Sequence, residues 1–370
     1  MSAVSLEVQN LLHQWKCTGG FEPLKELFFS ILDYERVMAE FPVNSIRESL
    51  LQHLAESPMI VGKKGSETVA LWIVYFRLKG KLGISLERQI VDSVKSAFPN
   101  AIYVFSDGTQ KYWHFVNPRK PLSQDTKRQK HMVLRRISVS PEENTRTASE
   151  RLSELSVEDL SSEVSILELQ ERCDRAFDVE AVTNEFFENY KRIFSDVQDL
   201  LFEQHKDLEW AHDLSLQFLN RLMFIYFIQR KRWIGNDPDF ISNFWKSYKQ
   251  SQTDNNTFYR KWLSVLFFET FNGSFQAGRS DHIKSLPNDV RDLLALAPHL
   301  NGGLFRENKL DKKYSFELPD YLFEKLFDVF DDSRPGFFER YNFTITEDTP
   351  LDQEVAVNPE MIGKVYESLV

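Results

Sequence analysis

The stretch Ala211–Trp233, AHDLSLQFLNRLMFIYFIQRKRW, constrains the fold more than any other part of the chain. Its middle is apolar on nearly every face, and a helix of that kind is buried by other helices on several sides. Gln217, Asn220 and Arg221 interrupt the apolar pattern. The clean apolar run Leu222–Ile228 is far shorter than the roughly 20 residues that a membrane span needs. The sequence therefore predicts a helical domain built around this segment, with no membrane contact.

The composition limits the number of domains and the classes of function that the chain can have. Its 370 residues are enough for two domains, and a hydrophobic content of 42% with 27% charged residues is typical of a globular protein with real cores. The net charge of −10 argues against a surface that binds polyanions everywhere, so any nucleic-acid contact must come from a local patch. Only Cys17 and Cys173 are present, which excludes a disulfide scaffold and favours a cytoplasmic location.

Residues 1–172 are predicted to form a small mixed α/β domain. Amphipathic patterns predict helices over Leu6–Lys16, Phe21–Tyr34, Asn44–Glu56 and Leu86–Phe98. β-Branched and aromatic runs predict strands over Thr68–Leu78, Ala101–Phe105, Tyr112–Val116 and His131–Val139. A turn signal, Ser-Asp-Gly-Thr, joins the two middle strands into a hairpin. At least four strands are therefore expected.

Residues 173–356 are predicted to be a helical connector domain, so the fold class of the whole chain is α+β. Helices are expected over Val179–Asp199, Ala211–Trp233, Phe240–Lys249, Thr257–Phe271, Pro287–Ala297 and Pro319–Asp331. Phe343–Leu351 reads as extended. Asn358-Pro359-Glu360 then gives a strong helix start, so residues 357–370 are predicted to be the first helix of a further domain.

The segment Asn117–Arg136 is the most basic part of the chain and contains a single acid, Asp125. Its prolines predict an exposed loop. Basic side chains in such a loop neutralise DNA phosphates without reading the base sequence. The predicted DNA-binding residues are Arg119, Lys120, Lys127, Arg128, Lys130, Arg135 and Arg136. The alternative is a solvated loop that balances an otherwise acidic surface.

No catalytic or metal-binding residue is assigned from the sequence. A metal-dependent nuclease needs an acid and then an acid-x-Lys pair on a neighbouring strand, so that two carboxylates hold a divalent ion. In the first domain the match is Asp125-x-Lys127, which falls in the basic loop. The histidines show no metal-ligand spacing. The Gly-rich cofactor turn and the Asn/Asp-Pro-Pro-aromatic motif of amino-methyltransferases are absent from this sequence, so this chain alone is not expected to methylate.

Four stretches together resemble a known family. They are Ala176–Thr183 (AFDVEAVT), Leu219–Phe227 (LNRLMFIYF), Leu300–Phe305 (LNGGLF), and Phe343-Thr344-Ile345 through Thr349-Pro350-Leu351-Asp352 to Asn358–Glu367 (NPEMIGKVYE). In this order they are similar to the region upstream of the catalytic domain in large bacterial adenine-specific DNA methyltransferases. These are the type IIG restriction–modification enzymes and the related BREX-like methylases of phage defence.

The resemblance implies that this chain is the front part of a longer enzyme, truncated before the methyltransferase catalytic domain. The first domain would be a degenerate restriction-nuclease-like fold, and the chain would position DNA and couple that domain to the methyltransferase. The implied partners are double-stranded DNA and methyltransferase and target-recognition domains, in cis or in trans. S-adenosylmethionine is expected for the full-length parent and no cofactor for this chain.

Two alternatives remain open at the level of the sequence. The first domain could be a divergent restriction nuclease that depends on Mg²⁺, which is the one case in which this chain would bind that ion. The chain could instead be a non-catalytic partner-binding subunit of a split methyltransferase.

Overall fold

A computed structural model gives the structure of the chain and describes residues 2–66, 69–119, 132–161, 163–251, 254–272, 286–300, 303–327, 335–344, 352–357 and 363. The chain divides into two compact units. The sheet unit comprises Met1–Val182 and Asp348–Ala356, and the helical unit comprises Thr183–Glu347 and Val357–Val370. The sequence prediction places the domain boundary between residues 172 and 173.

The described part of the sheet unit contains seven strands, whose order in the sheet is the same as their order in the chain. They are β1 (Glu35–Glu40), β2 (Met59–Gly65), β3 (Ala70–Arg77), β4 (Ala101–Ser106), β5 (Trp113–Arg119), β6 (Val133–Val139) and β7 (Asp352–Glu354). β3 and β4 are parallel, as are β6 and β7, and the other neighbours are antiparallel. Together with the helices of both units, this mixed sheet confirms the predicted α+β class.

Among the described residues, six α-helices belong wholly to the sheet unit. They are α1 (Ala3–Thr18), α2 (Glu22–Lys25), α3 (Glu48–Leu51), α4 (Ile84–Val94), α5 (Thr145–Ser153) and α6 (Ile166–Ala176). α2 continues into a π-helical segment, Glu26–Ile31, and a 3₁₀ turn, Val43–Ser45, precedes α3. The Ser2 and Ser165 hydroxyls accept backbone N–H groups at the starts of α1 and α6, which satisfies donors that no helical carbonyl can reach.

Successive side chains along a strand point to opposite faces, so apolar strand residues lie on both faces of the sheet. Helices cover both of these apolar faces. One face packs on α4 and forms a core of aliphatic and aromatic residues, among them Val74, Phe76, Tyr103, Phe105, Ile90, Val91, Val116 and Leu134. The opposite face carries Tyr75, Trp113 and Phe115. The Trp113 ring lies 4.6 Å from that of Trp15 on α1, and the Phe115 ring lies 6.3 Å from that of Phe28. We call these the α4 face and the α1 face.

The structure confirms β3, α4 and the hairpin of β4 and β5, and it corrects two expectations. β1 and β2 are strands that the sequence did not predict. The predicted helix Asn44–Glu56 is wrong for most of its length, because only Glu48–Leu51 is α-helical. Arg47, which precedes α3, is extended, and the N–H of Ala55 donates to the carbonyl of Arg77 on β3 at 2.8 Å. Hydrogen bonding to the sheet therefore replaces the last helical turn.

The helical unit is built on α7 (Val179–His205), whose first residues belong to the sheet unit, and on α8 (Leu208–Arg230). The remaining elements are α9 (Phe240–Gln250), the π-helical segments Phe258–Leu263 and Val265–Thr270, α10 (Asn288–Ala295), α11 (Lys309–Lys313), α12 (Asp320–Phe327) and a 3₁₀ turn, Phe338–Arg340. α8 is buried around most of its circumference, as the sequence predicts. The predicted helix after Asn358 lies outside the described residues, apart from Gly363.

Among the residues that the structure describes, no helix combines the length and the apolarity that a membrane span requires.

Candidate nucleic-acid interface

The seven predicted DNA-binding residues fall into two groups. Arg119 is the last residue of β5, and Arg135 and Arg136 lie on β6. Lys120, Lys127, Arg128 and Lys130 lie outside the described residues, and so does Asp125 of the acid-x-Lys match. The predicted exposed loop Asn117–Arg136 therefore requires a correction, because both of its ends belong to strands.

Strand alternation separates the two arginines that adjoin in the sequence. Arg135 pairs with Asn117 across the β5–β6 ladder, and Arg136 pairs with Val116. Val116 belongs to the core of the α4 face, so Arg136 lies on that face. Asn117, Arg119 and Arg135 consequently share the α1 face. Residues that look equivalent in the sequence thus have different surroundings.

Arg136 is 2% exposed and forms a buried ion pair with Glu87 of α4. Its Nε donates to Glu87 Oε2 at 3.0 Å, and Nδ1 of His114 lies 2.8 Å from Glu87 Oε1. Burial alone would raise the pKa of Glu87, but His114 and Arg136 together outweigh burial and lower it below its ordinary value of 4.5. The guanidinium of Arg136 therefore compensates a buried carboxylate in the interior of the unit.

Arg119 lies nearer the surface, with its side chain 21% exposed. One of its terminal nitrogens, Nη2, donates to the backbone carbonyl of Gln170 at 2.5 Å and lies 2.6 Å from Oδ1 of Asp174. Both partners are on α6. These contacts fix the guanidinium at the point where β5 ends and the basic segment begins.

Arg135 has the least compensated charge of the three. Its Nη1 donates to the carbonyl of Phe177 at 3.4 Å, a long hydrogen bond. No carboxylate within the described parts of the chain forms an ion pair with it. A cation that is only partly exposed and lacks a counter-charge is costly, and an anionic ligand would offset that cost.

A cavity of about 1050 Å³ lies beside these arginines, within the sheet unit. Its lining includes Asn117, Arg119 and Arg135 from the strands, and Gln170 and Asp174 from α6. The Nδ2 of Asn117 and the Nε of both arginines are shielded from solvent without a hydrogen-bond acceptor among the described residues. A buried donor left unpaired costs about 1–3 kcal/mol. The lining therefore offers N–H donors suited to oxyanions.

The described residues supply little for metal-dependent cleavage. None of the described strands carries an acid-x-Lys pair. In the same part of the chain, no three His, Cys, Asp or Glu side chains come close enough to hold a metal ion. The arrangement that does exist combines positive charge with fixed N–H donors, which suits hydrogen bonding to phosphate oxygens.

Sequence reasoning assigned no role to Asn117, Glu87 or His114. Asn117 carries no charge, so the basic pattern of its neighbours does not mark it as a binding residue. Glu87 and His114 are 27 positions apart and meet only because α4 packs on β5. The alternation of β6 would have been the one usable signal, since it assigns Arg135 and Arg136 to opposite faces.

The sequence is similar to that of a known restriction–modification protein. The chain is 28% identical over 216 residues to a protein of Methanocaldococcus jannaschii named "putative type II restriction enzyme and methyltransferase". The match covers 52% of this chain and 17% of that relative's length. No protein-family model matches the sequence. No solved structure matches it either. The chain is thus related to a restriction–modification protein, and about half of the chain matches a small part of that relative.

Proposed function

We propose that this chain is the DNA-positioning and coupling module of a restriction–modification or phage-defence DNA adenine methyltransferase. The observation that carries the proposal is the placement of Arg119 and Arg135 on one face of two adjacent strands, in a chain related to a restriction–modification protein. They lie at the two ends of the basic segment, whose other cations are Lys120, Lys127, Arg128 and Lys130. One local patch would then contact DNA.

Charge supports a local contact of this kind. The whole chain carries a net charge of −10, so most of its surface repels a polyanion. Contacts from arginine and lysine to phosphates set the position of a protein on the duplex without specifying sequence. Sequence recognition and methyl transfer would belong to the target-recognition and methyltransferase domains, in cis or in trans. There S-adenosylmethionine would donate its methyl group to a flipped-out adenine.

The two alternatives differ in what they require. A Mg²⁺-dependent nuclease needs carboxylates around an ion, and no observation on the described strands favours it. A non-catalytic subunit of a split methyltransferase would need a partner-binding surface and no DNA contact of its own. A test of DNA binding therefore separates the proposal from the non-catalytic subunit. The nuclease alternative is tested by adding Mg²⁺.

The experiment measures binding of the purified chain to a short labelled DNA duplex by fluorescence anisotropy over a series of salt concentrations. We expect the double variant Arg119→Ala, Arg135→Ala to bind roughly tenfold more weakly at low salt. The slope of log Kd against log salt should fall by about 2, because each lost phosphate contact removes about one counterion. Arg146→Ala is the matched control, since Arg146 is 19% exposed and lies on α5 of the same unit.

Two results would contradict the proposal. The first is an absence of duplex binding by the wild-type chain at low salt. The second is equal weakening by the double variant and by Arg146→Ala. Circular dichroism of every variant is the check that the fold is retained. Nicking of plasmid DNA on addition of Mg²⁺ would move the assignment to the nuclease alternative.

A further inference from the structure

The cavity of the sheet unit contains polar groups that the proposed DNA contact does not explain. Asn117 is only 5% exposed, yet its Nδ2 has no acceptor among the described residues. The opposite residue in the β5–β6 ladder is Arg135, which lacks an ion-pair partner in the described parts of the chain. The amide of Asn117 and the guanidinium of Arg135 therefore adjoin the same cavity, and each retains an N–H donor without an acceptor among the described residues.

We propose that this cavity binds a phosphate group, held by Asn117 Nδ2 and by the guanidinium groups of Arg135 and Arg119. A guanidinium presents parallel N–H donors that match two oxygens of a phosphate, and an amide N–H binds a third. The unused Nε atoms of both arginines belong to these donors. The set contains donors and positive charge, so it selects an oxyanion over a cation or an apolar ligand.

The carboxylates around the cavity have other roles or positions. Asp174 is paired with Arg119, and Oδ1 of Asp178 accepts the N–H of Ala181 in the first turn of α7. Glu180 is an exposed lining residue, one position after α7 begins. The unpaired donors lie on the strands, and these acids lie on α6, on α7 and in the turn between them. A phosphate bound against the strands would therefore meet N–H groups first.

The dimensions of the cavity indicate what the phosphate carries. A volume of about 1050 Å³ is far larger than a bare phosphate needs and lies at the upper limit of sites for small organic ligands. Apolar side chains such as Leu71, Met132 and Val133 also line it. A phosphate that carries a nucleoside suits both features. Its source is either a nucleotide of a DNA strand or a free mononucleotide.

This inference rests on the proposed function for one of these two sources, since a DNA strand reaches the cavity only if the chain binds DNA. The free nucleotide does not depend on it. The probes are therefore deoxyadenosine 5′-monophosphate, deoxyadenosine without phosphate, inorganic phosphate and a short duplex. Binding of each to the full chain is measured by isothermal titration calorimetry.

Asn117→Asp is the informative variant. It keeps the size of the side chain and replaces the N–H donor by a carboxylate that repels phosphate, while Arg135 across the ladder would compensate the new charge. We expect the nucleotide to bind at least about tenfold more weakly to this variant. Arg146→Ala should bind it as the wild type does. Arg135→Lys keeps the charge without the planar fork, and an intermediate loss is expected.

The results separate the inference from the proposed function. Nucleotide binding that needs the phosphate and is lost in Asn117→Asp supports the inference, and competition by duplex identifies DNA as the source. Nucleotide binding without any duplex binding leaves the inference standing and contradicts the proposed function. Equal binding of deoxyadenosine and its monophosphate, or unchanged binding by Asn117→Asp, overturns the inference. Duplex binding without nucleotide binding also overturns it and leaves the proposed function intact.

Discussion

Arg221 and Asp311 form a doubly hydrogen-bonded ion pair in the interior of the helical unit. Nη1 donates to Oδ1 at 2.7 Å and Nη2 donates to Oδ2 at 2.9 Å, with the two side chains 1% and 2% exposed. The Nε of Arg221 also donates to the carbonyl of Leu304 at 2.7 Å. Arg221 and Leu304 belong to two of the four stretches that carry the family resemblance. The hydrogen bond from Arg221 to Leu304 therefore joins these two stretches directly, and Asp311 holds the guanidinium in place.

We expect Asp311→Ala to destabilise the helical unit by about 3–5 kcal/mol, because it leaves the buried charge of Arg221 without its carboxylate. Urea unfolding followed by far-ultraviolet circular dichroism measures the change. Lys261→Ala is the control, since it breaks an exposed pair with Asp254 that contributes about 1 kcal/mol or less. Equal unfolding midpoints for the two variants would show that the buried pair adds no stability.

The buried Glu87 predicts a loss of stability in acid. Its pKa is lower in the folded chain than its ordinary value of 4.5, so its ionisation stabilises the fold fully above that pH. The contribution is lost as the pH falls below 4.5 and through the folded pKa. Glu87→Gln should cost roughly 3 kcal/mol at neutral pH, because Arg136 then lacks its counter-charge.

The measurement compares the unfolding free energies of the wild type and Glu87→Gln from neutral to acid pH. We expect the difference between them to shrink below pH 4.5, where the wild-type carboxylate takes up its proton. A difference that stays constant with pH would show that the pKa of Glu87 is the same in the folded and unfolded chain.

Glu339 predicts the opposite dependence. Burial raises its pKa above the ordinary value of 4.5, although Ser242 and Tyr226 donate hydrogen bonds that lower it. Its contribution is therefore fully present below pH 4.5 and is lost as the pH rises through the folded pKa. Both donors bond to the same oxygen, Oε1, so Glu339→Gln can keep both hydrogen bonds.

We expect Glu339→Gln to be as stable as the wild type or more stable at neutral pH, in contrast to Glu87→Gln. Urea unfolding at neutral pH, with Glu339→Ala as the reference that lacks both hydrogen bonds, provides the test. A Gln variant as unstable as the Ala variant would mean that the charge of Glu339 itself stabilises the helical unit.

The elements that the sequence predicted best, α8 and β3, have a strong apolar pattern within their own residues. The apolar residues of α8 and β3 leave few alternatives to burial. β1 and β2 were missed because β1 is mostly exposed and β2 contains Gly62, Lys63 and Lys64. β2 is held by pairing with β3 and β1 by pairing with β2, and local sequence does not reveal either pairing.

The candidate site was predictable only in its charge. The basic segment can be recognised in the sequence. That Arg135 and Arg136 lie on opposite faces of the sheet is known only from the register of β6 against β5. The ion pair of Arg136 requires α4 to pack on the same face. Asn117 becomes notable only when its amide is seen without an acceptor among the described residues. Each of these facts depends on contacts between segments that are distant in the sequence.

β7 gives the chain an unusual route. Glu354 pairs with Arg136 in the ladder of β6 and β7, and its Oε1 accepts the hydroxyl of Ser138 at 2.8 Å. The chain that leaves the sheet unit after Val182 therefore returns to the same sheet. A protease that cut one bond between those two points would leave each fragment with a segment of this sheet. The nicked protein should then stay together as a complex of two fragments on a native gel.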